Sequence, residues 1–385
     1  MRGITSTSGF WRNNLSIERS GVWQHVRRLP RWARVGATLS AGIAGGAAFA
    51  AIGAPLAWML GAMTTSTLLA IFGAPVAGSS KLRMVMASVL GVLLGSAFSP
   101  EILHKLPQWL GVLAILCVVL LLHGASALTY LYRKARFSWP NAFFAAAPGG
   151  LIEMVVQGDK AGGNTHTVAL LHATRILFVV AVVPLWFRIS GGVHIPALPA
   201  RPHAPFTIEE ALWLIGCAAV GLVIGIRFRL PAPHLVGPMV LSIAAHAAGL
   251  SHLAPPALLI AAAQVTIGTS IGTRFAGRSG RELRRTVGHG AVSACLMLIV
   301  AVVSASIAAP LLGLPRDALI LAFTPGGLAE MSLIALSMNT DTALISAMHS
   351  FRILLVVILA NSIYRLLSHW RRILAPGTAR DTTNS

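Results

Sequence analysis

Ten apolar stretches divide this chain, and each is long enough, or nearly long enough, to cross a lipid bilayer. They are residues 35–53, 56–77, 82–98, 109–132, 165–187, 209–226, 233–250, 255–275, 287–312 and 342–364. The hydrocarbon core of a bilayer is about 30 Å thick, which a helix of roughly 20 apolar residues spans. Because backbone groups in lipid must be hydrogen-bonded within the chain, such stretches form helices. The pattern predicts an all-α integral membrane protein that crosses the bilayer about ten times.

Composition agrees with this fold class and argues against a soluble protein. Hydrophobic residues make up 55% of the chain, charged residues only 11%, and the mean hydropathy is +0.75. A soluble domain carries about 25% charged residues. The net charge of +19 comes from Lys and Arg clustered between the apolar stretches. That distribution is typical of a membrane protein oriented by its cytoplasmic positive charges, and it argues against direct binding of nucleic acid.

A motif that occurs twice indicates an internal duplication. Pro148-Gly149-Gly150-Leu151-Ile152-Glu153-Met154 returns later in the chain as Pro325-Gly326-Gly327-Leu328-Ala329-Glu330-Met331. His172-x-x-Arg175 returns at the same spacing as His349-x-x-Arg352, and Gly91-x-x-x-Gly95 as Gly268-x-x-x-Gly272. The sequence therefore predicts a basic cytoplasmic tail over residues 1–34, membrane repeats over 35–190 and 208–367, and a polar C-terminal tail over 368–385.

Each Pro-Gly-Gly motif interrupts a segment too short to be a regular span, at residues 139–158 and 316–338. Proline lacks a backbone donor and glycine is a poor helix former, so a continuous helix is not expected there. We expect each segment to be re-entrant, which leaves five crossings per repeat and inverts the second copy. The inside ends then hold 24 Lys and Arg against 4 outside, compared with 19 against 9 for parallel copies. The charge rule favours inverted repeats.

The paired acids are candidates for function. Glu153 and Glu330 lie three residues past each glycine pair, in the first turn of the resumed helix. A carboxylate near a helix N-terminus is stabilised by about 0.3–1 kcal/mol, whereas placing it inside a membrane costs roughly 2.5–3.5 kcal/mol. Stabilisation of the helix end alone is therefore insufficient, and a proton or cation relay, or a gate, is favoured.

The paired cations lie in the middle of apolar helices. Arg175 and Arg352 each have a histidine three residues earlier, His172 or His349, on the same helix face. One interpretation is that each Arg pairs with a Glu and neutralises it. Another is a cationic site for an anion, assisted by the helix N-termini that follow Gly149-Gly150 and Gly326-Gly327. The histidines could carry protons or could simply be hydrogen-bonded.

Other site chemistry finds little support. Cys117, Cys217 and Cys295 all lie within apolar stretches and form no metal-binding spacing. The chain has no nucleotide-binding loop, nucleophile elbow or zinc motif. We therefore expect no cofactor, no metal and no enzymatic activity.

With both Pro-Gly-Gly-x-x-Glu-Met motifs and both His-x-x-Arg motifs in view, the chain resembles the bacterial AbrB-duplication membrane proteins. The resemblance covers about residues 35–370 and includes the Gly-x-Pro-x-x-x-x-Leu-Gly element from Gly53 to Gly61. Members carry labels of transcriptional regulator or ammonia monooxygenase. The first implies an effect on gene expression, although residues 1–34 lack helix-turn-helix patterning. The second implies a copper or iron site, for which the residues give no pattern.

Together these observations favour a transporter-like protein of the bacterial inner membrane, with its N-terminus in the cytoplasm. It would move or sense a small, anionic solute, with proton or charge coupling, and could associate with further copies of itself. The alternative is a membrane protein that regulates gene expression indirectly without transport. A membrane monooxygenase is the third interpretation.

Overall fold

The computed structural model describes residues 23–98, 104–191, 207–250, 255–277 and 280–374, and all regular structure in those ranges is helical. A short helix, Gln24–Arg28, precedes two sets of seven. The first set is α1 Arg31–Ala51, α2 Ala57–Ile71, α3 Ser80–Gly95, α4 Leu106–Thr129, α5 Trp139–Ala146, α6 Leu151–Lys160 and α7 Thr165–Gly191. The second set is α8 Ile208–Arg227, α9 Pro233–Ala247, α10 Ala257–Gly272, α11 Gly280–Leu312, α12 Arg316–Phe323, α13 Leu328–Ser337 and α14 Thr342–Leu374.

The helix bounds follow the spacing of the sequence motifs. The starts of α8, α10, α12, α13 and α14 are separated from those of their counterparts by the same interval as the two Pro-Gly-Gly motifs. The start of α9 departs from this interval by a single position. A π-helical turn, Tyr130–Lys134, extends α4, and a 3-10 turn, Thr273–Phe275, extends α10. The sequence duplication therefore corresponds to two runs of helices in the same order.

In the described ranges, six helical segments are long and apolar enough to cross a membrane, which supports a multi-pass membrane protein. They are Pro107–Lys134, Thr165–Ser190, Ile208–Arg227, Ala257–Phe275, Glu282–Leu312 and Thr342–Arg371. The four other predicted crossings, on α1, α2, α3 and α9, do not meet this criterion and remain predictions. Helices α2, α3 and α9 have only 15 or 16 residues, fewer than the roughly 20 of a regular span. Left-handed backbone at Leu56 and Ala232, just before α2 and α9, delays the start of those two helices.

Two predicted tail boundaries also differ from the helices. Helix α1 begins at Arg31, inside the predicted N-terminal tail, and α14 continues to Leu374, past the predicted repeat end at 367. Nothing in the backbone of 365–374 interrupts the helix, because this stretch contains neither Pro nor Gly. The remainders of both tails, residues 1–22 and 375–385, lie outside the described residues.

The two sets of helices are held together by close packing between helices of one set and helices of the other. Helix α3 of the first set packs against α9 of the second, and α10 of the second packs against α2 of the first. A Cβ atom at Gly91 would overlap the backbone of Leu235, and one at Gly268 would overlap the backbone of Met59. These Gly-x-x-x-Gly motifs therefore provide close packing between helices of the two repeats.

Candidate functional site

Both Pro-Gly-Gly motifs break the helix where the sequence predicted. Helix α5 ends at Ala146 and α6 begins at Leu151, while α12 ends at Phe323 and α13 begins at Leu328. The residue before each proline, Ala147 or Thr324, has extended backbone with ψ of 125° or 133°. A proline forces this conformation on its predecessor because its ring would otherwise collide with it. The carbonyls at each break are thus left without helical partners.

Arg175, on α7, binds the first break. Its Nη1 donates to the carbonyl of Ala147 at 3.1 Å, and its Nη2 points to the carbonyl of Gly149 at 3.5 Å. The side chain is buried, and its Nε has no hydrogen-bond partner among the described residues. A guanidinium suits this position because its two terminal nitrogens can reach two carbonyls at once.

Arg352, on α14, repeats the arrangement at the second break. Its Nη1 donates to the carbonyl of Thr324 at 2.8 Å, and its Nη2 donates to the carbonyl of Gly326. In the duplicated register, both acceptors are the counterparts of those that Arg175 contacts. This side chain is also buried, with its Nε unpaired in the described part of the chain.

The arginines do not form the ion pairs with glutamate that one interpretation of the sequence proposed. Within the ranges described, one ion pair is closer than 4 Å, between Lys105 and Asp341 at 3.3 Å. Each guanidinium instead donates to backbone carbonyls, which neutralise no charge.

The two glutamates fold back over the N-termini of α6 and α13. A Cβ atom at Gly150 would overlap the Glu153 carboxylate, and one at Gly327 would overlap that of Glu330. Glycine at each helix start therefore makes room for a carboxylate near the free backbone N–H groups, where a negative charge is stabilised. Glu153 also accepts a hydrogen bond from the backbone N–H of Ala232, in the second repeat, at 3.4 Å.

Helices α6 and α13, which follow the two breaks, differ in how much of their surface is buried. Nine of the ten residues of α13 are buried, and Glu330 is only 6% exposed. Helix α6 buries two residues, Glu153 is half-buried, and Ile152 and Val156 are about half exposed. The matched motifs therefore occupy different environments in one structure.

Buried charges are unbalanced around the breaks. Among the described side chains, the buried acidic and strongly basic ones are Arg175, Arg352 and Glu330, two cations against one carboxyl group. An unpaired charge away from water is costly, so the arrangement favours an additional anion.

The paired histidines each give one ring nitrogen to the backbone. His172 Nε2 lies 2.9 Å from the carbonyl of Phe144, and His349 Nδ1 lies 3.1 Å from that of Ile345. A carbonyl only accepts, so each of these nitrogens carries the proton in the neutral ring. The other nitrogens, Nδ1 of His172 and Nε2 of His349, are buried acceptors with no partner among the residues described.

His123, on α4, is a further buried histidine that the sequence reasoning did not select. It is fully buried, and its Nε2 lies 2.9 Å from the carbonyl of Met297. Its Nδ1 is a third buried acceptor that the described residues leave unpaired. The available signal was a histidine in the middle of a long apolar helix, but it has no counterpart in the second repeat.

Asn164 and Asp341, which occupy equivalent positions in the two repeats, are helix N-caps. The Asn164 side chain accepts from the backbone N–H of Thr167 at 2.9 Å, and Asp341 accepts from that of Leu344 at 3.0 Å. These bonds fix the starts of α7 and α14, the helices that carry the arginines.

Comparison with known proteins places this arrangement in a family. The family model described as transition state regulatory protein AbrB matches residues 58–368, which include both breaks and both arginines. The chain belongs to this family. The match spans most of the helices described above, so AbrB membership applies to the duplicated helical body as a whole.

Two AbrB relatives align over most of their length. The uncharacterized protein YhjN of Bacillus subtilis (strain 168) is 28% identical over 350 residues, covering 85% of this chain and 91% of YhjN. A candidate regulator named AbrB, from Escherichia coli (strain K12), is 26% identical over 325 residues. The alignment covers 83% of this chain and 92% of the Escherichia coli protein. This AbrB-family chain therefore resembles both relatives across the whole duplicated body.

Proposed function

We propose that this AbrB-family protein is a secondary transporter of a small anion, built from two inverted repeats whose broken helices form the solute site. The observation that carries the proposal is the matched pair of breaks, each held by a buried arginine and each followed by a folded-back glutamate. Broken helices near the midplane, contributed by two inverted repeats, are a recurring design of secondary transporters.

A re-entrant course of the first broken segment is supported by a contact between its two ends. The backbone N–H of Asn164, just after α6, donates to the side chain of Asn141, near the start of α5, at 2.7 Å. This contact fits a segment that returns to the side from which it entered. Irregular backbone at such depth is stable only where protein buries it or a wet cavity surrounds it.

Two polar contacts at the ends of helices favour inverted over parallel repeats. Arg188, in the last turn of the long α7, donates to the carbonyl of Gly53 at 2.8 Å. Arg285, near the start of α11, donates to the carbonyl of Ala135 at 3.1 Å. The inverted topology puts both members of each pair on one side of the membrane, whereas parallel repeats with full crossings put them on opposite sides. With this topology, the excess of Lys and Arg on the N-terminal side of the membrane favours a cytoplasmic N-terminus.

The solute class follows from the charges and donors of the site. Two buried guanidiniums against one buried carboxylate leave a positive excess, and each Nε–H is an unused donor among the described residues. The N-termini of α6 and α13 would add partial positive charge when their glutamates move away or are protonated. Three buried histidine nitrogens are available as acceptors, so the best fit is a small anion that also carries a hydroxyl or amino group.

The glutamates provide the coupling in this proposal. Glu330 is buried and Glu153 is half-buried, so one copy is closed around its carboxylate while the other is more open. Exchange of these environments would expose each carboxylate in turn, and protonation would remove the charge that competes with the solute for the arginines. The structure would then represent one end of an alternating cycle.

A second candidate function uses the same site without transport. The family description and the Escherichia coli relative's name both refer to regulation. Binding of the anion would then shift the two repeats between states and alter gene expression through another protein.

Exchange of labelled solute in proteoliposomes tests the proposal. Vesicles preloaded with one of a panel of small hydroxy- and amino-carboxylates should accumulate the labelled compound by counterflow with wild type and with Arg365→Gln, an exposed change on α14. Arg352→Gln should abolish counterflow. Glu330→Gln should retain counterflow but lose uptake driven by a pH gradient. Stabilisation of the protein by an anion without any flux would overturn transport and favour the regulatory candidate.

A further inference from the structure

An apolar cavity of about 720 Å³ lies between α4 of the first repeat and α14 of the second. It runs along α14 from Leu355 to Leu367, a distance of about 18 Å at 1.5 Å per helical residue. Pro148, in the first helix break, lies in its wall. The cavity borders the proposed anion site at Ala147, but its lining residues are apolar except for Thr129 and Cys117.

The cavity is open in only one of the two copies. On α4, the lining residues Gly124 and Leu128 are partly exposed. Their counterparts on α11 in the duplicated register, Ala301 and Ala305, have no exposed surface. The opening is therefore not a gap built into the repeat.

Aromatic and cationic groups lie one helical turn beyond the end of the cavity. The Arg371 guanidinium lies 5.0 Å from the centre of the Tyr132 ring and 5.4 Å from that of Trp139. Trp139 Nε1 donates to the Ser368 hydroxyl at 2.8 Å. Tryptophan and tyrosine are enriched at the headgroup level of membranes, so this cluster marks the end of the cavity as the interface.

Two more cations complete the positive charge at this end. Arg133 and Lys134, in the π-helical turn that extends α4, are both exposed. Clusters of Lys and Arg next to a membrane helix attract anionic lipid headgroups.

We propose that the cavity binds one acyl chain of an anionic phospholipid, whose phosphate is held by Arg371 with Arg133 and Lys134. The apolar walls accept the chain, and the cations select a negative headgroup. The buried end of the chain contacts Pro148, next to the Ala147 carbonyl to which Arg175 is bonded. The lipid therefore occupies the open side of the first break. If the first repeat closed as the second repeat does, the lipid would have to leave. This inference does not depend on transport.

Gly124→Leu tests the chain site by filling it. Gly124 lines the cavity, and a Cβ atom there meets nothing within 4 Å, so a larger side chain enters the space without forcing the backbone apart. Gly36→Leu on α1 is the matched control, since that glycine is exposed and equally open. Native mass spectrometry of protein from phosphatidylglycerol nanodiscs should show one retained lipid for wild type and Gly36→Leu, and none for Gly124→Leu.

Arg371→Gln tests the headgroup site. With equal amounts of phosphatidylglycerol and phosphatidylcholine, wild type and Arg365→Gln should retain the anionic lipid, whereas Arg371→Gln should lose that preference. Lipid retained by Gly124→Leu would overturn the proposal. So would a dimer without lipid that Gly124→Leu converts to monomer, because the cavity would then be an interface between two copies.

Discussion

Arg175 and Arg352, which occupy equivalent positions in the two repeats, donate to equivalent pairs of carbonyls, one on each side of the proline in a helix break. Each arginine is thus a structural support for the break and a buried positive charge. Substitution by lysine separates these two roles, because lysine keeps the charge but lacks the two terminal nitrogens of the guanidinium.

Arg352→Gln should destabilise the protein more than Arg175→Gln does. Arg352 is bonded at 2.8 Å to Thr324, whereas the bonds of Arg175 measure 3.1 and 3.5 Å. Each buried carbonyl that loses its donor costs about 1–3 kcal/mol. Thermal unfolding in detergent, followed by tryptophan fluorescence, measures the order. Arg365→Gln serves as the exposed control, and an equal or larger loss for Arg175→Gln would contradict the account.

Gly327→Ala should be more damaging than Gly150→Ala. Both backbones have negative φ, of −79° and −65°, so alanine is tolerated conformationally and acts through its methyl group alone. That methyl group displaces a carboxylate. Glu153 is half-buried and can move outwards, but Glu330 is surrounded, so Gly327→Ala should cost about 1–3 kcal/mol as overpacking. Equal melting temperatures for the two variants would show that the carboxylates are not held as described.

Gly91→Val and Gly268→Val should each separate the two repeats. A side chain at either position meets the backbone of the other repeat, which cannot yield as a flexible side chain would. We expect a loss of more than about 3 kcal/mol, at or above the usual range for overpacking. Gly216→Val is the control, since its Cβ meets nothing within 4 Å. Limited proteolysis and thermal unfolding check the result; stability like that of the control would refute close packing there.

Cysteine labelling in intact cells tests the inverted topology. In a background without the three native cysteines, single cysteines would replace Arg284 and Arg316, both exposed. Inverted repeats place position 284 inside and position 316 outside; parallel repeats reverse both. A membrane-impermeant maleimide should therefore label Arg316→Cys only, and labelling of Arg284→Cys alone would establish the parallel arrangement.

The sequence predicted those parts of the fold that depend on local pattern. The breaks at Pro148 and Pro325 follow from backbone chemistry that the Pro-Gly-Gly residues themselves determine. Membership of the AbrB family followed from the same motifs.

The remaining features depend on tertiary contacts between distant segments. Nothing in the residues around Arg175 identifies the Ala147 carbonyl as its acceptor, because that choice is made by the packing of α7 against α5. The sequence could not predict the different burial of Glu153 and Glu330, because duplicated motifs predict equal environments. His123 was overlooked because a repeat-based search discards residues that occur once.

Ligand-dependent stability is the most direct test of the central claim, that the paired motifs form one anion site. Purified wild type would be unfolded thermally with each of a panel of small hydroxy- and amino-carboxylates and inorganic anions. An anion present at about 100 times its dissociation constant should add about 2.7 kcal/mol to the unfolding free energy. The account predicts such stabilisation by at least one anion, its retention in Arg365→Gln, and its loss in Arg352→Lys. If no anion stabilises wild type, or if an anion stabilises Arg352→Lys as much as wild type, the arginines are structural supports only. The proposed anion site would then be wrong.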